Sequence, residues 1–306
     1  MRGSRSRSRW GREINGILLL DKPKGLTSNA ALQGAKRAFK AQKAGHTGSL
    51  DPIATGLLPL CFGEATKVSS FFLSADKRYR SVFALGVATD TGDAEGKEIS
   101  RSDGVEVSND TIADVLNEFT GDLEQVPPMY SAVKFQGQPL YKLARKGIEV
   151  ERKPRQVTIM ELSFKRIDER SLEIDLHCSS GFYVRTLAHE LGERLGCGAH
   201  VSSLTRTGVG EFSLDDAVPL ERLQREENAE ELDKLLIAMD IGLKHLPGVN
   251  LSDDAAYYLC RGQPVKAVDV PSEGWVRLYA NGVGFLGLGE VLDDGRVAPK
   301  RLFNSK

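Results

Sequence analysis

A single carboxylate, Asp51, is set in the most constrained turn of this sequence. It follows Gly45 and Gly48 and stands directly before Pro52. Glycine reaches backbone angles that are closed to other residues, and proline fixes its own φ while it pushes the preceding residue toward extended geometry. Such a turn aims one side chain in one direction. Asp51 is therefore the first candidate for a catalytic group, either a nucleophile or a stabiliser of developing charge.

The surrounding sequence gives this turn a context. Residues 45–52, GHTGSLDP, resemble the catalytic signature of the pseudouridine synthases, in particular of the TruB branch. Residues 16–28, GILLLDKPKGLTS, resemble the opening motif of that branch. Further matching blocks follow in the expected order, at residues 76–80, 89–93, 128–134 and 178–186. The resemblance extends from about residue 14 to about residue 302.

The resemblance implies an enzyme that detaches uracil from its ribose, turns it and rejoins it through carbon. Asp51 matches the catalytic aspartate, which attacks either the anomeric carbon of ribose or the uracil ring. Arg185, in the pattern Gly-x-Tyr-x-Arg, matches the arginine that pairs with this aspartate. A neighbouring guanidinium would keep the carboxylate charged, against the rise in pKa that burial alone would cause. Tyr79 matches the tyrosine that stacks on the flipped base, and its hydroxyl is a candidate for moving the ring proton.

Three further positions match residues that contact the flipped nucleotide in the family. Tyr183 and Leu204 match positions that line the base pocket, and His46 matches a histidine that enters the space vacated by the nucleotide. Flipping costs a few kcal/mol, and stacking returns roughly 1 to 3 kcal/mol per base. The reaction needs no redox or phosphoryl cofactor. The histidines and cysteines lack metal-ligand spacing, so we expect no cofactor and no metal.

Residues about 128–155 form an insertion with many basic and few acidic residues. This insertion is the part of the sequence that indicates the substrate. In the TruB branch an insertion here forms a thumb that grips the T arm of tRNA. We therefore expect a stand-alone enzyme that isomerises the T-loop uridine of tRNA, conventionally position 55, through phosphate contacts that weaken with salt. Two alternatives are a guide-RNA-dependent pseudouridine synthase, which lacks this thumb and needs protein partners, and a tRNA-binding or folding module.

The composition predicts an intracellular globular protein. Of the 306 residues, 41% are hydrophobic, and no apolar run approaches the roughly 18 residues of a membrane span. The start of the chain lacks the apolar core of a secretory signal. We expect a cytoplasmic monomer with no membrane contact and no obligate protein partner. The formal net charge of -1 does not announce a nucleic-acid binder, but basic and acidic residues gather in separate segments, which permits a basic face.

Helices and strands must position these residues, and their predicted order indicates an α+β fold with a largely antiparallel mixed sheet. Ser28 is predicted as the N-cap of the first helix, and Gly121 as the residue that closes the helix beginning at Asn109. Strands are predicted over 17–20, 79–87, 156–166 and 172–178, and helices over 28–39, 109–120, 184–195 and 220–246.

Three regions are predicted along the chain. Residues 1–13 form a disordered basic arm, which either contacts RNA or is an organelle transit peptide. Residues 14–246 form the pseudouridine synthase catalytic domain, including the insertion. Residues 247–306 contain short, glycine-punctuated strands, and in the family this position holds a small PUA-like RNA-binding β-barrel. Residues 282–287 match G-x-G-x-x-G, but no helix is predicted after them, so dinucleotide binding is unsupported.

Overall fold

The structure, a computed structural model, describes residues 11–303. Within this range the strands are β1 (Gly16–Lys22), β2 (Ala44–His46), β3 (Thr55–Phe62), β4 (Lys77–Leu85), β5 (Val87–Thr89), β6 (Glu98–Arg101), β7 (Gly121–Gln125), β8 (Lys134–Phe135), β9 (Gln138–Pro139), β10 (Arg155–Asp168), β11 (Ser171–Cys178), β12 (Ala199–Val209), β13 (Phe212–Ser213), β14 (Val218–Pro219), β15 (Gly248–Leu251), β16 (Gly274–Ala280), β17 (Gly284–Val291) and β18 (Val297–Leu302). The α-helices are α1 (Ser28–Ala38), α2 (Ser69–Ser74), α3 (Asn109–Asn117), α4 (Leu140–Ala144), α5 (Val184–Arg194), α6 (Leu220–Arg225), α7 (Ala229–Asp233) and α8 (Asp253–Leu259).

A mixed sheet of ten strands organises residues 16–219. Its main path runs β14-β1-β3-β12-β4-β11-β10-β7, with β2 added to β3 and β13 added to β12. The β1–β14 and β3–β12 pairs are parallel, and the other pairs are antiparallel. The predicted α+β class with a largely antiparallel mixed sheet is confirmed. Among residues 11–303, no helix combines the length and the apolar character needed to cross a membrane.

Helix α5 is held against the centre of this sheet by its apolar face. The period of its buried residues matches one face of a helix, as the sequence predicts. These residues join buried side chains of α3, β4, β11 and β12 in one core, which includes Ile112, Leu116, Phe83, Leu85, Leu172, Ile174, Leu187, Leu191, Ala199 and Val201. The packing fixes where α5 begins, and that point is important for the site.

The start of α1 differs from the prediction. The N-cap is Thr27, whose side-chain oxygen accepts a hydrogen bond from the Ala30 N–H. Ser28 is buried, and its hydroxyl donates to the Leu50 carbonyl at 3.0 Å and accepts from the Leu50 N–H at 2.7 Å. The prediction of Ser28 as the cap is therefore wrong, because this hydroxyl satisfies the backbone of a distant loop and ties α1 to the Asp51 turn.

Two further predictions are wrong for similar reasons. Helix α3 ends at Asn117, and Gly121 is the first residue of β7 rather than a helix terminator. Residues 220–246 form the short helices α6 and α7 and a 3-10 turn at Ile241–Leu243, with irregular chain between them, rather than one continuous helix. Ile237 exchanges backbone hydrogen bonds with Ile17 at 2.9 and 3.0 Å, because the free backbone groups of β1 need partners that a continuous helix would not supply.

Residues 1–10 of the predicted arm, which spans residues 1–13, lie outside the described residues. Arg12 forms a backbone bridge with Ala41, and its guanidinium pairs with the Asp233 carboxylate. This end of the predicted arm is therefore fixed to the rest of the chain at the backbone.

A separate four-stranded sheet forms the C-terminal part, in the order β15-β16-β17-β18. It surrounds its own apolar core, as expected of the predicted PUA-like unit. It also packs on the larger part: Leu288 joins a core cluster with Ile17 and Leu19, and Trp275 meets Phe71 edge to face with ring centroids 5.3 Å apart. Residues 282–287 form the turn and the first residues of β17.

Gly192 marks the closest approach of α5 to the chain entering β12. A Cβ at this position would lie 2.0 Å from the Ala199 amide nitrogen. We expect Gly192→Ala to lower the free energy of unfolding by roughly 1–3 kcal/mol, because the added methyl overpacks the junction. Urea unfolding measures this. Gly104→Ala is the control, since no atom lies within 4 Å of a Cβ there. An unchanged midpoint for Gly192→Ala would contradict the packing described.

Candidate active site

The Asp51 turn connects β2 to β3 and is fixed on both sides. Thr47 is buried, and its N–H and hydroxyl both donate to the Pro59 carbonyl, at 3.1 and 3.2 Å. On the other side the Ala54 N–H donates to the Asp51 carbonyl at 3.1 Å. Gly48 has φ +125°, which favours glycine. The backbone of Asp51 therefore has little freedom, and its carboxylate remains partly exposed.

Arg185, in the first turn of α5, reaches this carboxylate. Its Nη2 lies 2.8 Å from Asp51 Oδ2. The same guanidinium donates to the carbonyls of Thr91 at 3.1 Å and Tyr130 at 2.7 Å, and its Nη1 lies 3.4 Å from Asp93 Oδ2. The side chains of Arg185 and Asp93 are 7% and 6% exposed, against 44% for Asp51. The structure thus brings together the two residues whose pairing the sequence predicts, and adds a second carboxylate.

Sequence reasoning misses Asp93 as a site residue. Its Oδ1 accepts hydrogen bonds from the Thr91 hydroxyl at 2.6 Å and from the Glu95 N–H at 3.1 Å. These bonds occupy one carboxylate oxygen and leave the other facing Arg185. The sequence TDTGD of residues 89–93 indicates a turn, but it does not indicate which of its side chains reaches the site.

The surroundings raise the pKa of Asp51 above its ordinary value. Burial is the largest cause, the like charge of Asp93 adds to it, and the Arg185 guanidinium opposes both. Arg185 therefore limits the rise in pKa but does not reverse it. A carboxylate is charged above its pKa, so chemistry that needs ionised Asp51 is lost, as pH falls, at a higher pH than for a free aspartate.

Two cavities meet at Asp51 and Arg185, which line both of them. The smaller, of about 340 Å³, extends to Tyr79, Tyr183 and Leu204. The larger, of about 610 Å³, extends to His46, Tyr141 and Arg145. Each of the six predicted site residues therefore lies on the wall of one cavity or the other, although they come from segments far apart in the chain.

Gln125 holds the residue that precedes α5. It is 2% exposed, its Oε1 accepts from the Tyr183 N–H at 2.7 Å, and its Nε2 donates to the Tyr183 carbonyl at 3.1 Å. This two-bond clamp holds the residue before the helix, and so places the Tyr183 ring and the Arg185 guanidinium together. A glutamine at the end of a strand has no sequence signal for such a role, and sequence reasoning misses it.

Two buried cations, Lys22 and Arg206, lie close to the site. Lys22 donates to the carbonyls of Pro23 at 2.9 Å and Leu26 at 2.7 Å, and burial lowers its pKa to about 8, against the charge of Asp51. Arg206, on β12, is 1% exposed. Burial and the charge of Arg206 lower the pKa of His46, which favours a neutral imidazole. Arg206 is also missed by sequence reasoning, because arginines in strands usually reach solvent.

Comparison with family models and solved structures identifies the class of enzyme. Residues 36–184 match the family model described as TruB family pseudouridylate synthase, N terminal domain. Residues 185–244 and 247–303 match two TruB C-terminal domain models. Among solved structures, a chain of the crystal structure of a Cbf5-Nop10-Gar1 complex has a TM-score of 0.70 and 26% identity, and the match covers 95% of this chain and 84% of that one. The molecule is therefore a pseudouridine synthase.

Curated relatives narrow this class. The tRNA pseudouridine synthase B of Nitrosococcus oceani is 53% identical over 298 residues, which is 97% of each chain. That of Pseudomonas aeruginosa is 52% identical over 297 residues, covering 96% of this chain and 97% of the relative. The chain belongs to the TruB family.

The charge of Asp93 gives a first test of the site electrostatics. We expect Asp93→Asn to lower the pKa of Asp51, because the like charge that disfavours its ionised form is removed while Arg185 stays. The measurement is carboxyl ¹³C NMR of labelled aspartate across a pH titration, with Asp51→Asn used to assign the signal. Asp114→Asn, which removes an exposed charge on α3, is the control and should leave the pKa of Asp51 unchanged. A rise in the pKa of Asp51 in Asp93→Asn would contradict the arrangement described.

Proposed function

We propose that this enzyme isomerises the T-loop uridine of tRNA, conventionally position 55, to pseudouridine, with Asp51 as nucleophile on a flipped-out nucleotide. The observation that carries the proposal is the 2.8 Å contact between Arg185 and Asp51 where the two cavities meet. A carboxylate that is anchored at the backbone, oriented by a buried guanidinium and still 44% exposed is suited to attack.

The smaller cavity is proposed to receive the flipped uracil. Tyr79 stacks on the base, and Tyr183 and Leu204 line the remaining wall, which offsets the cost of unstacking. Ionised Asp51 attacks either the anomeric carbon or the uracil ring. By either route the N1–C1′ bond breaks, the uracil turns, C5 bonds to C1′, and the proton on C5 leaves.

His46, on the wall of the larger cavity, is proposed to occupy the space that the flipped nucleotide vacates. Its pKa is lowered by burial and by Arg206. A neutral imidazole can stack against neighbouring bases without the cost of burying a charge. This supports a role for His46 in binding rather than in proton transfer.

The insertion at residues 128–155 supports a stand-alone tRNA enzyme. It contains the β8–β9 hairpin and α4, and α4 is anchored by the buried side chains of Leu140 and Leu143. The opposite face of α4 presents exposed Lys142, while Tyr141 and the following Arg145 line the larger cavity. A basic surface that runs into the cavity beside Asp51 is suited to phosphates next to the reacting nucleotide.

The alternatives receive less support. The Cbf5 chain, solved in a complex with Nop10 and Gar1, is 26% identical to this chain, whereas relatives named tRNA pseudouridine synthase B are 53% identical. This comparison favours the stand-alone enzyme over a guide-RNA-dependent one. The proposal includes a monomer that acts in the cytoplasm without an obligate protein partner, which sedimentation of the purified protein alone and with tRNA would test.

The first test is release of tritium from unmodified tRNA labelled at uracil C5. We expect the purified protein to release label with a chelator present, and Asp51→Asn to release none, because label leaves only when C5 becomes the glycosidic carbon. Mapping the product should place the modification in the T loop. Tight, salt-sensitive tRNA binding without release would overturn the stand-alone reading and favour a guided enzyme or a folding module.

A second test concerns the thumb. We expect the double variant Lys142→Gln/Lys146→Gln to bind tRNA more weakly and to reduce the slope of log affinity against log salt by about 2, since each lost phosphate contact contributes about 1. Turnover at saturating tRNA should be unchanged. The matched control is Arg225→Gln, which removes an exposed basic residue that precedes Glu226 and Glu227, and it should leave the slope unaltered. An unchanged slope in the double variant would show that the insertion does not contact the phosphates of tRNA.

A further inference from the structure

Arg206 is a buried cation on β12, on the wall of the smaller cavity. It is 1% exposed, and among residues 11–303 it forms no ion pair. Its Nε donates to the Leu57 carbonyl at 2.7 Å, while its Nη2 is buried without any hydrogen-bond acceptor. A buried guanidinium without an ion-pair partner is costly to keep, because burial weakens its hydration.

The segment that carries Asp51 passes close to Arg206. A Cβ on Gly48 would lie 3.6 Å from Nη1, and a Cβ on Gly56 would lie 2.4 Å from the Arg206 carbonyl oxygen. Both glycines belong to the segment that carries Asp51. The segment therefore packs against Arg206, and the hydrogen bond from Nε to the Leu57 carbonyl orients the guanidinium beside the smaller cavity, which it lines.

Tyr79 is the group that this guanidinium faces. Arg206 on β12 stands directly opposite Tyr79 on β4 in the antiparallel register, and both line the smaller cavity. Burial raises the pKa of Tyr79 above its ordinary value, and the Arg206 guanidinium limits this rise by its charge and by side-chain hydrogen bonding. Burial likewise lowers the pKa of Arg206, and Tyr79 is the group that opposes this. Each partner thus stabilises the charged form of the other.

The remaining groups around Tyr79 do not supply this stabilisation. The charge of Asp51, from the catalytic turn, and Cys178, on β11, both raise the pKa of Tyr79. The pKa of Cys178 is itself raised to about 12 by burial, so its thiol stays neutral. Lys77, on the same strand as Tyr79, lines the cavity, but its Nζ is occupied by the carbonyls of α2 and the residues after it.

We propose that Arg206 is a positioning residue that acts through Tyr79: it holds the hydroxyl oxygen at the wall of the base cavity and stabilises the phenolate that accepts the proton from uracil C5. This rests on the proposed function. Among residues 11–303, Nη2 has no acceptor, and negative charge on the Tyr79 oxygen would provide one, since catalytic hydrogen bonds often tighten only during reaction.

The step balances without any further reactant. Tyr79 first loses its hydroxyl proton to water. After C5 has bonded to C1′, the C5–H bond breaks and its proton passes to the Tyr79 oxygen. The electron pair forms the C5–C6 double bond, the former C6–N1 π pair moves to N1, and N1 takes up a proton from water. Tyr79 returns to its neutral form.

The test is a pH titration of Tyr79 by NMR of ¹³C-labelled tyrosine, with Tyr79→Phe used to assign the signal. We expect Arg206→Gln to move the titration of Tyr79 to higher pH, because the stabilising cation is lost, and Arg206→Lys to move it less. Tritium release by Arg206→Gln should fall about 10²-fold at neutral pH, a typical contribution of general base catalysis, and should recover partly as pH rises.

The control is Arg194→Gln, at the last residue of α5. It removes a guanidinium whose central carbon lies 4.2 Å from the centroid of the Phe119 ring, and it should leave both readouts unchanged. If Arg206→Gln does not fold, Arg206→Lys gives the comparison through a smaller shift in the same direction. An unmoved Tyr79 titration, or an activity loss equal at every pH, overturns the proposal. Because the titration uses no RNA, it remains decisive even if wild type fails to release tritium from tRNA.

Discussion

The guanidinium of Arg185 has to satisfy two carboxylates and two backbone carbonyls in a place nearly closed to water. A buried cation with an incomplete set of partners would be strongly destabilising, so the segments that supply the partners must arrive together. The Asp51 turn, the turn over residues 89–93, the root of the basic insertion at Tyr130 and the first turn of α5 all meet at this side chain. Folding of the sheet and assembly of the site are therefore the same event.

The charges in this cluster are arranged unequally. Asp93 is buried and tied to its own turn, while Asp51 keeps much of its surface open to the cavities. Asp93 therefore shares the guanidinium without competing for a substrate. Its like charge leaves Asp51 more basic than a carboxylate paired with arginine alone would be. Arg185 thus orients the Asp51 carboxylate, while Asp93 keeps that carboxylate reactive by raising its basicity.

Much of this fold could be predicted from the sequence because the patterns are local. The buried run of β1, the apolar face of α5 and the glycine-bounded turn at Asp51 each express one period or one backbone restriction. The errors arise where a distant partner decides. Ser28 bonds to Leu50 rather than capping its helix, and Ile237 pairs with β1 rather than staying helical. Asp93, Gln125 and Arg206 were missed for the same reason, since their roles exist only once strands far apart in the chain are neighbours.

The contact between the C-terminal sheet and the larger part has a consequence for the history of the chain. Leu288 and Trp275 complete a core that also contains Ile17 and Phe71. A gene that lost the final segment would encode a protein with that apolar surface open to water, and one that acquired a foreign segment would have to match it. A change in side-chain volume on one side of this contact would therefore need a compensating change on the other side to keep the core filled.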